Sequence, residues 1–200
     1  MISQKSLKVI GVSKEISDRW ITELMAPHRH YHTLAHIAHI IQEYDTLGMT
    51  QREIYAAAWL HDIRYDATRK DNEEVSAEIA KEDLQGTSVD IPLVVDIILD
   101  TKYHQGGAPI LDLFSDLDMS ILGSRQITYD HYMVAIRREY AHVPLTDYAA
   151  GRAKVLRGFD DSVIFKTDHF ASREKDAHRN LQREIELLEN SPHLIEAMSK

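Results

Sequence analysis

Apolar residues along this chain recur at intervals of three and four rather than two, as in Leu34, Ile37, Ile41 and Tyr44 or Ile91, Val94, Val95 and Ile98. That spacing keeps one face of a 3.6-residue helix apolar and is wrong for strands, whose faces alternate every second residue. The pattern predicts helices over about 3–26, 30–47, 50–62, 72–85, 91–104, 109–123, 125–142, 145–158 and 172–190, with a short turn near 192–199. Pro27, Gly48, Gly86, Pro92, Gly106, Gly107, Pro109, Gly123, Pro144 and Pro192 fall at or near the proposed ends, where helices stop or start. Asp71 followed by Asn72, Glu73 and Glu74 supplies a cap and an acidic first turn for the helix at 72–85. The expected fold is all-α, a helical bundle. Segment 159–171, with Val163, Ile164, Phe165 and Phe170, reads as an ordered loop packed on it. No repeat, low-complexity tract or linker is visible, so one domain over 1–200 is expected.

Polar residues that interrupt these stripes carry the chemistry. On the 30–47 helix, about 100° per residue sets His36 at the edge of the inward stripe, His32 about 40° further round, and His39 toward solvent. His61 follows Ile54 by seven residues on the apolar face of the next helix, with Asp62 at its end. A carboxylate near a core needs a cation or several donors, because losing water costs several kcal/mol (roughly) unless it is paired. On the 109–123 helix, Leu111, Phe114, Ile121 and Leu122 place Asp118 inward, while Asp116 lies about 160° away. Lys102 continues the stripe of Ile91, Val95 and Ile98. Each residue has a plain alternative: a solvated histidine cluster, Asp62 bonded to backbone amides or an arginine, Asp118 paired with a basic residue, and Lys102 snorkelling to water. Three helices each placing a metal-ligand residue type in an apolar stripe nevertheless make His36, His61, Asp62 and Asp118 a two-histidine, two-carboxylate set.

Composition narrows the chemistry. Lys plus Arg number 23 against 32 Asp plus Glu, a net charge of −9, and no basic patch stands apart, which disfavours nucleic acid and anionic lipid as partners. There is no cysteine, so a metal must take nitrogen and oxygen ligands, while 12 histidines are a surplus. No apolar run approaches the roughly 18 residues of a membrane span, and the N-terminus lacks the apolar core of a signal peptide, so a cytoplasmic protein is expected. The glycines form no phosphate loop or dinucleotide fingerprint, and Thr33 stands where a zinc-protease helix would need its glutamate between His32 and His36.

Taken in order, His36, the pair His61-Asp62 and the distant Asp118 resemble the H…HD…D signature of the HD superfamily of metal-dependent phosphohydrolases. Tyr31-His32-Thr33-Leu34-Ala35-His36 resembles the YHNxxH element of cyclic-nucleotide phosphodiesterases. Asp116-Leu117-Asp118, with the apolar residues after it, resembles the DAD segment of other HD proteins, whose later Asp is the ligand. The arrangement RxYHxLxHI, WLHDIRYD, DNEEVSA, DLDMSILG, IRREYAHV and RNLQREIELL is similar to a bacterial group of predicted HD phosphohydrolases, over about residues 20–190. The resemblance implies an HD core at about 28–125 with C-terminal helices at about 126–200 packed on it, and His32 as proton donor. The HDxxED element of ppGpp hydrolases appears as His61 to Asp66, with Tyr65 in place of Glu and Asp66 kept as a water-orienting base. Where two-metal relatives have further histidines, this chain has Asn72 and Thr101-Lys102.

The resulting expectation is a mononuclear metal-dependent phosphohydrolase, cleaving a phosphomonoester or phosphodiester of a small phosphorylated molecule such as a nucleotide. One divalent ion (Mn, Fe, Co, Ni or Zn, with Mg admissible) would be held by His36, His61, Asp62 and Asp118, with His39 and Asp116 outside its ligand set. His32, Asp66 and Lys102 are assigned to catalysis, and Arg29, Lys102 and His104 to the substrate. The alternatives are a non-catalytic nucleotide or metal sensor of the same fold and a di-iron oxygenase, which the missing second ligand set argues against. A homodimer is as compatible with the sequence as a monomer.

Overall fold

The computed structural model describes residues 2–199, and among them every regular element is helical. The α-helices are α1 (Ile2–Ile10), α2 (Lys14–Leu24), α3 (Leu34–Thr46), α4 (Arg52–Leu60), α5 (Asn72–Asp83), α6 (Ile91–Asp100), α7 (Pro109–Met119), α8 (Gln126–Glu139), α9 (Leu145–Asp160), α10 (Glu174–Asn190) and α11 (Pro192–Met198), with 3-10 turns at Ser120–Gly123 and Ala171–Arg173. The all-α expectation is met. The chain divides into two compact units, one ending at Leu117 and the other beginning at Asp118. The division falls inside α7 rather than at a linker, so no composition signal marks it.

In the first unit α4 is the centre: all seven residues from Ile54 to Leu60 are buried, which requires neighbours on every side of the helix. Trp59 lies 6.1 Å from Trp20 of α2, centroid to centroid. Both indoles reach a partner, Trp20 Nε1 donating to Asp83 Oδ2 at 2.7 Å and Trp59 Nε1 to Ser6 Oγ at 3.0 Å, so burying these large rings strands no polar group.

Two boundaries and one cap depart from the sequence reading. The helix expected over 3–26 is two, because Gly11 takes φ +85° and the Ser13 hydroxyl then accepts from Ile16 N to start α2. The helix expected from residue 30 begins at Leu34, where the Thr33 hydroxyl accepts from Ala35 N, so His32 stands in the preceding loop and its helical-wheel position does not apply. Asp71 does precede α5, but its side chain makes no cap; Oδ2 accepts from Arg69 at 2.7 Å instead.

In the second unit, α10 is the organising helix. The Asn180 amide donates to Leu122 O and Ser124 O, both at 2.8 Å, fixing the turn after α7. Glu184, fully buried, accepts from Tyr129 Oη at 2.5 Å and Arg152 Nε at 2.9 Å. The loop over 161–170 is ordered as expected: Ile164 N and Phe165 N donate to the Glu174 carboxylate at 2.8 and 2.9 Å, and both side chains are buried with Phe170. Val163 is the exception, 72% exposed.

Candidate metal centre

Three elements carry the ligand-type side chains. His36 is on the first turn of α3, His61 is the residue that ends α4, and Asp118 is in the last turn of α7, a helix whose earlier residues belong to the first unit. Both histidines are buried, at 3% and 1% exposure, because α3 and α4 present them from apolar faces. One ligand atom from each of His36, His61 and Asp118 lies within 4.8 Å of the other two. Asp62 adds a second carboxylate, with Oδ2 3.0 Å from His61 Nε2 and 3.7 Å from His36 Nε2.

The donor set fits a divalent cation. His61 Nδ1 faces the carbonyls of Ala57 and Ala58 at 3.2 and 3.1 Å, which makes Nδ1 the protonated nitrogen and turns the Nε2 lone pair toward His36 and Asp62. His36 Nε2 is 3.2 Å from that same atom. Lone pairs converging in this way repel unless a proton or a cation stands among them. Nitrogen and oxygen ligands about 2.1 Å from one ion stand roughly 3.0–3.4 Å apart when adjacent, close to the separations of His61 Nε2 from Asp62 and His36. Burial by itself would raise the Asp62 carboxyl, but His61, His32 and His36 around it hold it well below the usual carboxylate range. It is therefore anionic at neutral pH, as a ligand must be.

Around this cluster lies an aromatic collar that the periodicity did not indicate. The His32 ring stacks on Tyr65 at 4.0 Å between centroids and 26° between planes, with Nε2 4.0 Å from Asp62 Oδ2. Tyr31 packs edge-on against His32 at 4.9 Å and tilted against His36 at 4.8 Å, and Phe114 of α7 sits edge-on to His61 at 5.5 Å. Tyr31 and Tyr65 each adjoin a motif residue, and that adjacency is the one sequence signal that pointed to them.

Other assigned residues are engaged elsewhere. The Arg29 guanidinium, buried, donates through Nη1 to His32 O at 2.9 Å and Asp62 O at 2.7 Å, and through Nη2 to Ile63 O at 2.8 Å. It clamps the backbone that carries His32 and Asp62, whereas the expectation was a substrate phosphate. Lys102 Nζ donates to Lys70 O at 2.8 Å and to Glu74, with Glu73 3.7 Å away, so acidic residues of the first turn of α5 balance its charge. Asp66 Oδ1 accepts from Thr68 N and Oγ1 at 2.8 and 2.7 Å, an Asx turn, while the Asn72 side chain bonds both the N–H and the carbonyl of Asp66. Asn72, which the sequence resemblance set against a second-metal histidine, thus holds a loop. His104, in the left-handed region at φ +48°, has Nδ1 3.2 Å from Ser115 Oγ, one turn before Asp118.

Asp116 requires a correction. Expected to face solvent, it is fully buried, because every residue from Leu113 to Leu117 is buried and α7 has no solvent face at that level. The wheel's choice of Asp118 as the acid on the histidine side holds, but it assumes a solvent face opposite, which residues 113–117 do not have. Asp118, which is less buried than Asp116, is the one that joins the histidines.

Among the described residues, no helix is long and apolar enough to cross a membrane. Comparison of the chain with protein-family models, curated proteins and solved structures gives no match.

Proposed function

We propose that this protein is a metal-dependent phosphohydrolase of the HD type, acting on a small phosphorylated molecule such as a nucleotide. The observation that carries the reading is the convergence of His36, His61 and Asp118, with Asp62 beside both histidines, in the order that the HD signature requires. A divalent ion held there would polarise a phosphoryl oxygen and lower the pKa of a bound water toward neutrality. The chain's own part is orientation. His61 is held in the ligating tautomer by the α4 carbonyls, and Arg29 fixes the backbone on both sides of the site. His32, stacked on Tyr65 and close to Asp62, is placed to give a proton to the leaving oxygen.

A second reading, a non-catalytic sensor, is favoured by the engagement of Arg29, Lys102 and Asp66 in the fold itself, which leaves fewer groups for a transition state. Elemental analysis beside a panel of p-nitrophenyl phosphate, bis-p-nitrophenyl phosphate and nucleotides, run with Mn, Co, Ni and Mg, separates them. The enzyme reading expects metal-dependent turnover that His61→Ala abolishes. Metal bound without turnover on any member of the panel supports the sensor, and no metal bound by the wild type removes the enzyme and the metal sensor alike.

A further inference from the structure

We propose that His104 meets the substrate directly, its Nε2–H donating to an oxygen of the bound phosphoryl group. The proposal rests on the phosphohydrolase reading and adds to it the group that faces the phosphate. Arg29 and Lys102, the cations expected there, are held by backbone carbonyls and by the acids of α5.

The backbone singles His104 out. Among the described residues it is the one non-glycine at positive φ, +48°, in the left-handed region where a side chain crowds the following carbonyl. The conformation ends α6: His104 N donates to Asp100 O at 2.7 Å, and the Asp100 carboxylate accepts from Gly106 N at 2.9 Å. Glycine makes such a turn without strain, and the same loop has it at 106 and 107, both at positive φ. A strained side chain kept where glycine would suit the backbone points to a use for that side chain.

The position of the ring says which use. Nδ1 lies 3.2 Å from the hydroxyl of Ser115, a buried residue of α7. Ser115 follows Phe114, whose ring is edge-on to His61. It precedes Asp118 by three residues, which sets the two on one face of the helix, about 4.5 Å apart along its axis. The half-buried imidazole therefore stands beside the ligand end of α7. With the serine hydroxyl donating to Nδ1, the neutral ring carries its proton on Nε2, on the side away from Ser115.

Two amide variants separate the ring nitrogens. Asparagine tolerates the left-handed region and reaches only as far as Nδ1, whereas the amide nitrogen of glutamine reaches the place of Nε2. Binding of inorganic phosphate to the manganese-loaded full-length protein is measured by calorimetry, beside metal content and the thermal midpoint of the metal-free chain. His104→Asn is expected to keep metal content and midpoint close to those of the wild type and to weaken phosphate binding about tenfold or more, the scale of one hydrogen bond to a charged group. His104→Gln should recover part of that affinity while its midpoint falls, because glutamine suits the left-handed region less well. Wild-type affinity in His104→Asn, a loss of stability there that accompanies the loss of affinity, or no recovery in His104→Gln would each assign the ring to the fold and overturn the proposal. Manganese bound by the wild type with no affinity for phosphate would instead remove the phosphohydrolase reading itself, and the proposal with it.

Discussion

At the scale of single residues, the centre depends on a few side chains whose surroundings leave them one role. His61→Ala and Asp118→Asn should each release bound metal, read by elemental analysis per chain. Asp116→Ala should leave metal content nearly unchanged while lowering stability toward urea, since a fully buried polar residue is removed and a cavity is left. Arg29→Met tests the backbone clamp. Removing the guanidinium leaves the carbonyls of His32, Asp62 and Ile63 without its donors, and a loss of about 2–4 kcal/mol in urea unfolding is expected. Metal affinity should fall with it, although Arg29 is not a ligand. If Arg29→Met retained full stability, the clamp would be an incidental contact.

At the scale of elements, close approaches and ion pairs fix how helices meet. Gly123, in the 3-10 turn after α7, has no room for a methyl group: a Cβ there would stand 2.7 Å from Arg173 Cβ and 3.1 Å from both Arg173 O and the Phe165 ring. Gly123→Ala should cost about 1–3 kcal/mol by overpacking, whereas Gly151→Ala, where a Cβ meets nothing, should be neutral or stabilising. His178 of α10 joins the end of α9, with Nδ1 2.7 Å from Asp160 and Nε2 3.1 Å from Glu174. These bonds, the one to Asp160 foremost, raise its pKa above the ordinary histidine value. The stability it contributes is therefore complete below the unfolded-state value of about 6.5 and is lost as pH rises through the higher folded value. Compared with His178→Gln in urea unfolding, the wild type should gain its largest advantage near pH 5.5–6 and lose it in mildly alkaline buffer. A difference independent of pH would show that the imidazolium is not what holds the two helices.

At the scale of the whole molecule, ligand linkage gives the broadest test. An ion that binds the folded chain alone raises stability by about 2.7 kcal/mol at a hundred times its dissociation constant. Adding Mn or Co to chelator-treated protein should thus raise the thermal midpoint, and His36→Ala should abolish the rise. Far-UV circular dichroism should remain helical with or without metal, because the helices are built on the apolar faces of α4 and α10 rather than on the ion.

Periodicity in the sequence determined the helical class, nearly all the elements and the inward placement of His36 and His61, because a 3.6-residue repeat fixes which face of a helix loses water. It could not see that Gly11 would turn left-handed or that His32 would leave the helix, since both outcomes rest on local capping competing with an otherwise continuous pattern. It did choose Asp118 over Asp116 as the acid that meets the histidines, but it placed Asp116 in solvent, whereas the fold buries it. An apolar stripe reports one buried face, whereas residues 113–117 of α7 are enclosed on all sides, so Asp116 is buried although it lies off the stripe that carries Asp118. Charge pairing is likewise a property of the fold. Lys102 and Arg29 looked available because their partners, Glu74 and three backbone carbonyls, lie as far as 28 and 34 residues away in the chain, and only packing brings opposite charges and unpaired carbonyls within reach of them.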